Sequence, residues 1–217
     1  MNRCAFIIPI YPKHYDYFYT ILPKLYNIVD VYLVFSNTAD YDAFSEKSKI
    51  KEIIMPFSPR DGIINCKKFY GLKYLMNSSY EYFIVCDAEI DIVTENFHPD
   101  LIYNKANDVF INKIIYGGYT KKEDNWKIMG TCANIFVGED YAKLKSATDD
   151  FKLYTWWSNL PVYKRTHLEH FFNIVGDQDR NLTWYHFDYI IYSYYLMLYQ
   201  GFNIVNVTPI LQHEGSL

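Results

Sequence analysis

A chain of 217 residues, 50% hydrophobic and 21% charged, is long enough to bury a sizeable core, and its length points to a single domain over residues 1–217. The net charge is -4 and the pI about 5.8, and the basic residues gather only in pairs such as Lys67-Lys68 and Lys121-Lys122, so a nucleic-acid partner has no electrostatic support. Cys4, Cys66, Cys86 and Cys132 show neither CxxC nor zinc spacing, and three of them lie in apolar runs, which favours a reducing compartment over a disulfide framework.

In chain order, Cys4–Pro9 reads as a buried first strand; Pro9, Pro12 and Lys13 interrupt it too soon for a signal peptide. Residues 10–15 form the loop at its carboxyl end, and 15–28 have helical spacing in spite of Pro23. A second strand spans 31–36 and ends in Ser36-Asn37-Thr38, side chains suited to bonding a ligand or capping the next helix. A short helix over 39–47, a strand over 50–55 and a turn-rich, charged loop over 56–62 follow. Residues 62–77 are amphipathic, with Ile63, Cys66, Tyr70 and Tyr74 near one face.

The stretch at 80–93 organises the chain. Residues 82–86 are an uninterrupted apolar run, as in a strand covered on both faces, and they stop at Asp87. Asp87, Glu89 and Asp91 then fall on one face if the chain stays extended. Acids at the carboxyl end of a parallel strand occupy the usual ligand position of an open α/β sheet, and convergent carboxylates invite a hard divalent cation. A solvated acidic turn is the other reading of the same residues. The alternation of strand and helix up to this point predicts a doubly wound, mainly parallel sheet flanked by helices.

Beyond it the pattern changes. Residues 108–116 and 132–137 read as strands bracketing a polar hairpin or excursion at 117–130. The segment 149–161 carries Trp156-Trp157, and 162–174 reads as helical. The aromatic stretch at 187–205 contains Asp188, Gln200 and Gly201, which suits a helix over 187–199 and a strand over 202–207 better than a membrane span. A tail at 209–217 ends the chain.

Together these features resemble the GT-A class of nucleotide-sugar glycosyltransferases over nearly the whole chain. The class holds Mn2+ or Mg2+ against a diphosphate with a DxD motif. Here the motif stands as Asp87-Ala88-Glu89 with Asp91 next on the same face, which leaves open whether Glu89 or Asp91 takes the metal. The tail His213-Glu214-Gly215 is similar to the HxG of several retaining members, which implies His213 as a further ligand and tilts the stereochemistry towards retention. The resemblance implies residues 1–93 as the nucleotide-binding half and 94–217 as the acceptor side. Lys67 and Lys68 then approach the diphosphate or base, Tyr11 and Asn37 the base and ribose, and Arg60 the nucleotide edge. Asn134 contacts the donor sugar. Asp188 and Asp179 compete for the reaction centre, Asp188 with a helix-capping role as its structural alternative.

The implied activity is metal-dependent transfer of a hexose, from a UDP-linked donor by default, to a glycan or glycoprotein acceptor. Such domains work in the cytoplasm of a bacterium or, when viral, of the host cell. Two other readings stay open: a non-catalytic module that binds glycans or nucleotide-sugars, and a sugar-1-phosphate nucleotidyltransferase. The glycine-free loop after the first strand counts against the latter, whose fold opens on a glycine-rich, basic loop.

Overall fold

The computed structural model describes residues 3–57, 63–89, 98–155, 161–176 and 182–209. Internal contacts divide the chain into two compact units, Met1–Asn107 with Pro161–Thr183, and Asp108–Leu160 with Trp184–Leu217. The fold is mixed α/β with a mainly parallel central sheet flanked by helices. The first compact unit runs past residue 93 to Asn107 and takes back Pro161–Thr183.

The first unit holds the five-stranded sheet. Strand β1 (Cys4–Pro9) pairs in parallel with β2 (Asp30–Phe35) on one side and β4 (Tyr82–Val85) on the other, and β2 pairs with β3 (Lys51–Ile54). Every residue of β1 and β4 is buried, which is why both read as unbroken apolar runs. After β3 the chain crosses to the far side of β1 to form β4, so the switch point of the sheet lies between β1 and β4. Strand β7 (Val162–Lys164) closes that edge antiparallel to β4, with Phe83 opposite Tyr163. The helix expected over 162–174 therefore starts three residues later, as α7 (Arg165–Val175). Two β-type residues, Val162 and Tyr163, are buried in the sheet before the helical spacing of Leu168, Phe171, Phe172 and Val175 takes over.

Helices α1 (Tyr15–Leu25) and α2 (Thr38–Ala43) follow β1 and β2, and α3 (Ile63–Leu75) precedes β4. Helix α3 departs from the amphipathic expectation. Tyr74 is 59% exposed, whereas Asn65, Cys66, Lys67, Lys68, Phe69, Gly71 and Leu72 are buried. It is covered on more than one side: Gly71 rests on Ile7 and Val34 of the sheet, and Phe69 packs edge-on against Phe171 and Phe172 of α7. Periodicity alone does not report a helix packed on two faces.

In the second unit, β5 (Ile114–Tyr119) lies between β6 (Leu153–Tyr154), antiparallel, and β8 (Asn203–Asn206), parallel. Two expected strands begin as helix here. Residues 108–112 complete α4 (Pro99–Asn112), the helix that runs across the division between the units, and its Ile102, Ala106 and Phe110 recur every four residues on a buried face. Lys113, with φ 52°, turns the chain into β5. The segment read as a hairpin contains α5 (Glu123–Ala133), which buries Met129, Cys132 and Ala133, so 132–137 begins as a helix end. Gly130 and β-branched Thr131 obscure that helix in the sequence, and tertiary burial overrides their propensity. Helices α6 (Glu139–Ala147) and α8 (Asp188–Tyr199) complete the unit. Among the described residues no helix is long and apolar enough to cross a membrane.

Candidate functional site

At the carboxyl ends of β1 and β4, five side chains of the first unit that the sequence singles out come into two adjoining clusters. Backbone bonds from Ile10 N to Val34 O (3.1 Å) and from Cys86 N to Ile7 O (3.2 Å) extend the ladder to the last residues of these strands and so fix where each loop departs. Tyr11 leaves β1, and Asp87 and Glu89 leave β4. The neighbours Lys67 and Lys68 of α3 reach one loop each, since consecutive residues diverge by about 100° around a helix.

Lys68 Nζ lies 3.0 Å from Asp87 Oδ1, with 7% of the lysine side chain and 28% of the aspartate side chain exposed. The pair is close in charge yet off hydrogen-bonding geometry: Asp87 Oδ1 is buried and has no hydrogen-bond partner among the described residues. Glu89 Oε1, in an exposed side chain, lies 3.0 Å from Nε2 of His14, which comes from the turn after β1. The ring of His14 meets Tyr11 edge-on at 5.9 Å, and its Nδ1 is buried without a hydrogen-bond partner among the described residues. His14 is a member of this site that the sequence does not single out, although a base two residues beyond the Tyr11-Pro12 pair in the turn after β1 is a usable signal.

Lys67 is fully buried. Its Nζ donates to the carbonyl of Ile10 and sits 3.6 Å from the centroid of the Tyr11 ring. Desolvation drives its pKa down from 10.5 to about 7, opposed in part by the charge of Asp40. Burial also pushes the Tyr11 phenol up to about 12, helped by the neighbouring Cys66, Asp87 and Asp40. Asn37 takes the second of its two expected roles: its Oδ1 accepts from Asp40 N at 2.9 Å as the N-cap of α2.

The buried ammonium has a measurable consequence. Between pH 7 and 10.5 the unfolded chain keeps the Lys67 proton that the folded protein releases, so stability contributed at this residue rises with pH across that window. Lys67→Met is expected to stabilise the protein by about 1–2 kcal/mol near pH 6, a gain that fades towards pH 10. Urea titrations at the two pH values measure it; a variant destabilised equally at both would show that the bond to Ile10 outweighs desolvation.

Asn134 and Asp188 belong to the second unit. Asn134 follows α5 as an exposed C-cap and does not lie on a strand. Asp188 is fully buried in the first turn of α8, where a carboxylate suits the helix dipole, and the N-cap position itself is Phe187. Close by, Cys132 Sγ accepts from Phe187 N at 3.3 Å, and burial, opposed by the bond with Phe187 and aided by Asp188, pushes its thiol up to about 12. Arg60, Asp91, Asp179, His213 and the pair Trp156-Trp157 lie outside the described residues.

Among the described residues no group of three or more His, Cys, Asp or Glu side chains gathers as a metal ligand set. Asp87 and Glu89 supply hard oxygen donors of the kind Mn2+ or Mg2+ prefers, and the orphaned Asp87 Oδ1 is an acceptor with capacity to spare. The residues present are compatible with such an ion.

No protein-family model matches the chain, and no curated protein does. Among solved structures it is similar to the crystal structure of mannose-1-phosphate geranyltransferase from Thermus thermophilus, at 10% identity and a TM-score of 0.44, over 95% of this chain and 70% of that one. A likeness at that score says nothing about what this chain binds.

Proposed function

We propose that the first unit binds a nucleotide-sugar, UDP-linked, at the carboxyl ends of β1 and β4, and that the protein transfers its hexose to a glycan acceptor. The observation that supports this most is the delivery of two buried lysines and two carboxylates to the switch point of a parallel sheet, where open α/β sheets bind their ligands. Lys68 supplies positive charge for the diphosphate. Tyr11, backed by Lys67, offers a ring edge and face to the base. Asp87 and Glu89, with Asp91 after them in the sequence, are the residues that would hold Mn2+ or Mg2+. Such an ion neutralises the negative charge that develops on a departing nucleoside diphosphate.

Nucleotidyl transfer to a sugar 1-phosphate is a second reading, and Lys68 at the switch point suits it too, because a cation beside a carboxylate there serves a triphosphate as well as a diphosphate. Phosphorus NMR of the reaction mixture separates the two. UDP released from a UDP-hexose in the presence of Mn2+ supports glycosyl transfer, whereas pyrophosphate formed from UTP and a hexose 1-phosphate supports the second reading. Binding of UDP with neither product leaves a nucleotide-sugar-binding module, and no binding of either nucleotide removes both enzyme readings and leaves a glycan-binding module.

A further inference from the structure

We propose that Lys68 is an exchangeable counter-cation: it holds Asp87 in the ligand-free protein and passes to the diphosphate when a divalent cation takes its place on the carboxylate. This rests on the nucleotide-sugar reading of the site and adds an order of events to it. The Lys68–Asp87 contact is close, at 3.0 Å, but its geometry leaves Asp87 Oδ1 without a hydrogen bond among the described residues. The pair is therefore held by charge, and a buried acceptor without a donor gains from any better-directed ligand.

Both partners are shielded enough for their charges to act on what approaches. A cation moving alone towards Asp87 meets the ammonium of Lys68, in a setting where solvent screens it weakly. An anion moving alone towards Lys68 meets Asp87. Each half of the ligand is thus opposed by the partner of its own target. When both arrive together, one internal ion pair is replaced by two external ones, and neither protein charge is stranded. The second described acid, Glu89, also has a basic group as its neighbour, with Oε1 3.0 Å from Nε2 of His14. The result is positive coupling between cation and diphosphate, which must be reciprocal: each raises the affinity of the other by the same factor.

The test is calorimetric titration with MnCl2 alone, with UDP alone, and with UDP at saturating MnCl2. It is run on the wild-type protein and on Lys68→Met, Lys68→Gln and Lys68→Arg. Removing the charge is expected to tighten binding of Mn2+ alone by about tenfold and to cut the cation–UDP coupling factor by a similar amount. Lys68→Arg keeps the charge and should keep the wild-type coupling. Met and Gln variants are run side by side so that a folding defect in one leaves the other to decide. An unchanged Mn2+ affinity and coupling factor in the charge-removed variants, with UDP still bound by the wild type, overturns the exchange and leaves the nucleotide site standing. Failure of the wild-type protein to bind UDP at any Mn2+ concentration overturns the site reading, and the exchange with it.

Discussion

Asp87→Asn is expected to bind UDP in the presence of Mn2+ at least about a hundredfold more weakly than the wild-type protein, and to lose hexosyl transfer in proportion. The substitution keeps the shape of the side chain and one oxygen but removes the charge that attracts a divalent ion. Its position is set by the strand before it, since Cys86 N donates to Ile7 O at 3.2 Å and Asp87 follows directly. The same change relieves Lys68 of its carboxylate partner, so UDP binding without metal should hold steady or rise. These opposite movements separate the loss of a ligand from a general loss of folding, which would lower both affinities. Titrations with and without MnCl2 decide the matter. If the metal dependence of UDP binding survives in Asp87→Asn, Asp87 does not hold the ion.

Gly71→Val is expected to cost about 3 kcal/mol of stability and to weaken nucleotide binding at the same time. A Cβ at position 71 would stand 2.6 Å from Ile7 Cγ2 and 3.0 Å from Val34 Cγ2, in contact with stiff β-branched side chains of two buried strands. Helix α3 would have to lift from the sheet. Lys67 lies four residues before Gly71 and therefore on the same helix face, so the contact that seats the helix also carries Lys67 to the end of β1. Gly71→Ala should cost less, because the better helix propensity of alanine offsets about 1 kcal/mol of the clash. Denaturant midpoints for both variants provide the measurement. A Val variant with the wild-type midpoint would mean that α3 is loosely seated, and the placement of Lys67 would need another explanation.

Much of the candidate site is legible in the sequence because it follows strand ends. Strands β1 and β4 are covered on both faces and read as continuous apolar runs, and Asp87 and Glu89 stand where the second of these runs stops. Tyr11 is legible for the same reason. Lys67 and Lys68 are visible as a basic pair, but their burial is not: on a pattern of residues they look like a solvated helix face, and only packing of α3 against both the sheet and α7 encloses them. Asn37 shows how the tertiary arrangement chooses between two local roles, since its oxygen is used by Asp40 N.

The second unit is less legible. Residues 108–112 and 132–133 contain β-branched or aromatic neighbours and read as strand, yet they lie in helices whose buried faces repeat every three or four residues. A short apolar run has the same appearance in either structure, and the partner surface decides.

By itself, the sequence determined the parallel α/β frame of the first unit and the acids at its edge, because a strand buried on both faces needs a local run of apolar residues and nothing further along the chain. Only the tertiary structure decided that His14 faces Glu89, that Lys68 faces Asp87, and that Lys67 lies fully buried beneath Tyr11. Those pairings join residues up to 75 positions apart, and their energies depend on burial and on distances that no local pattern encodes.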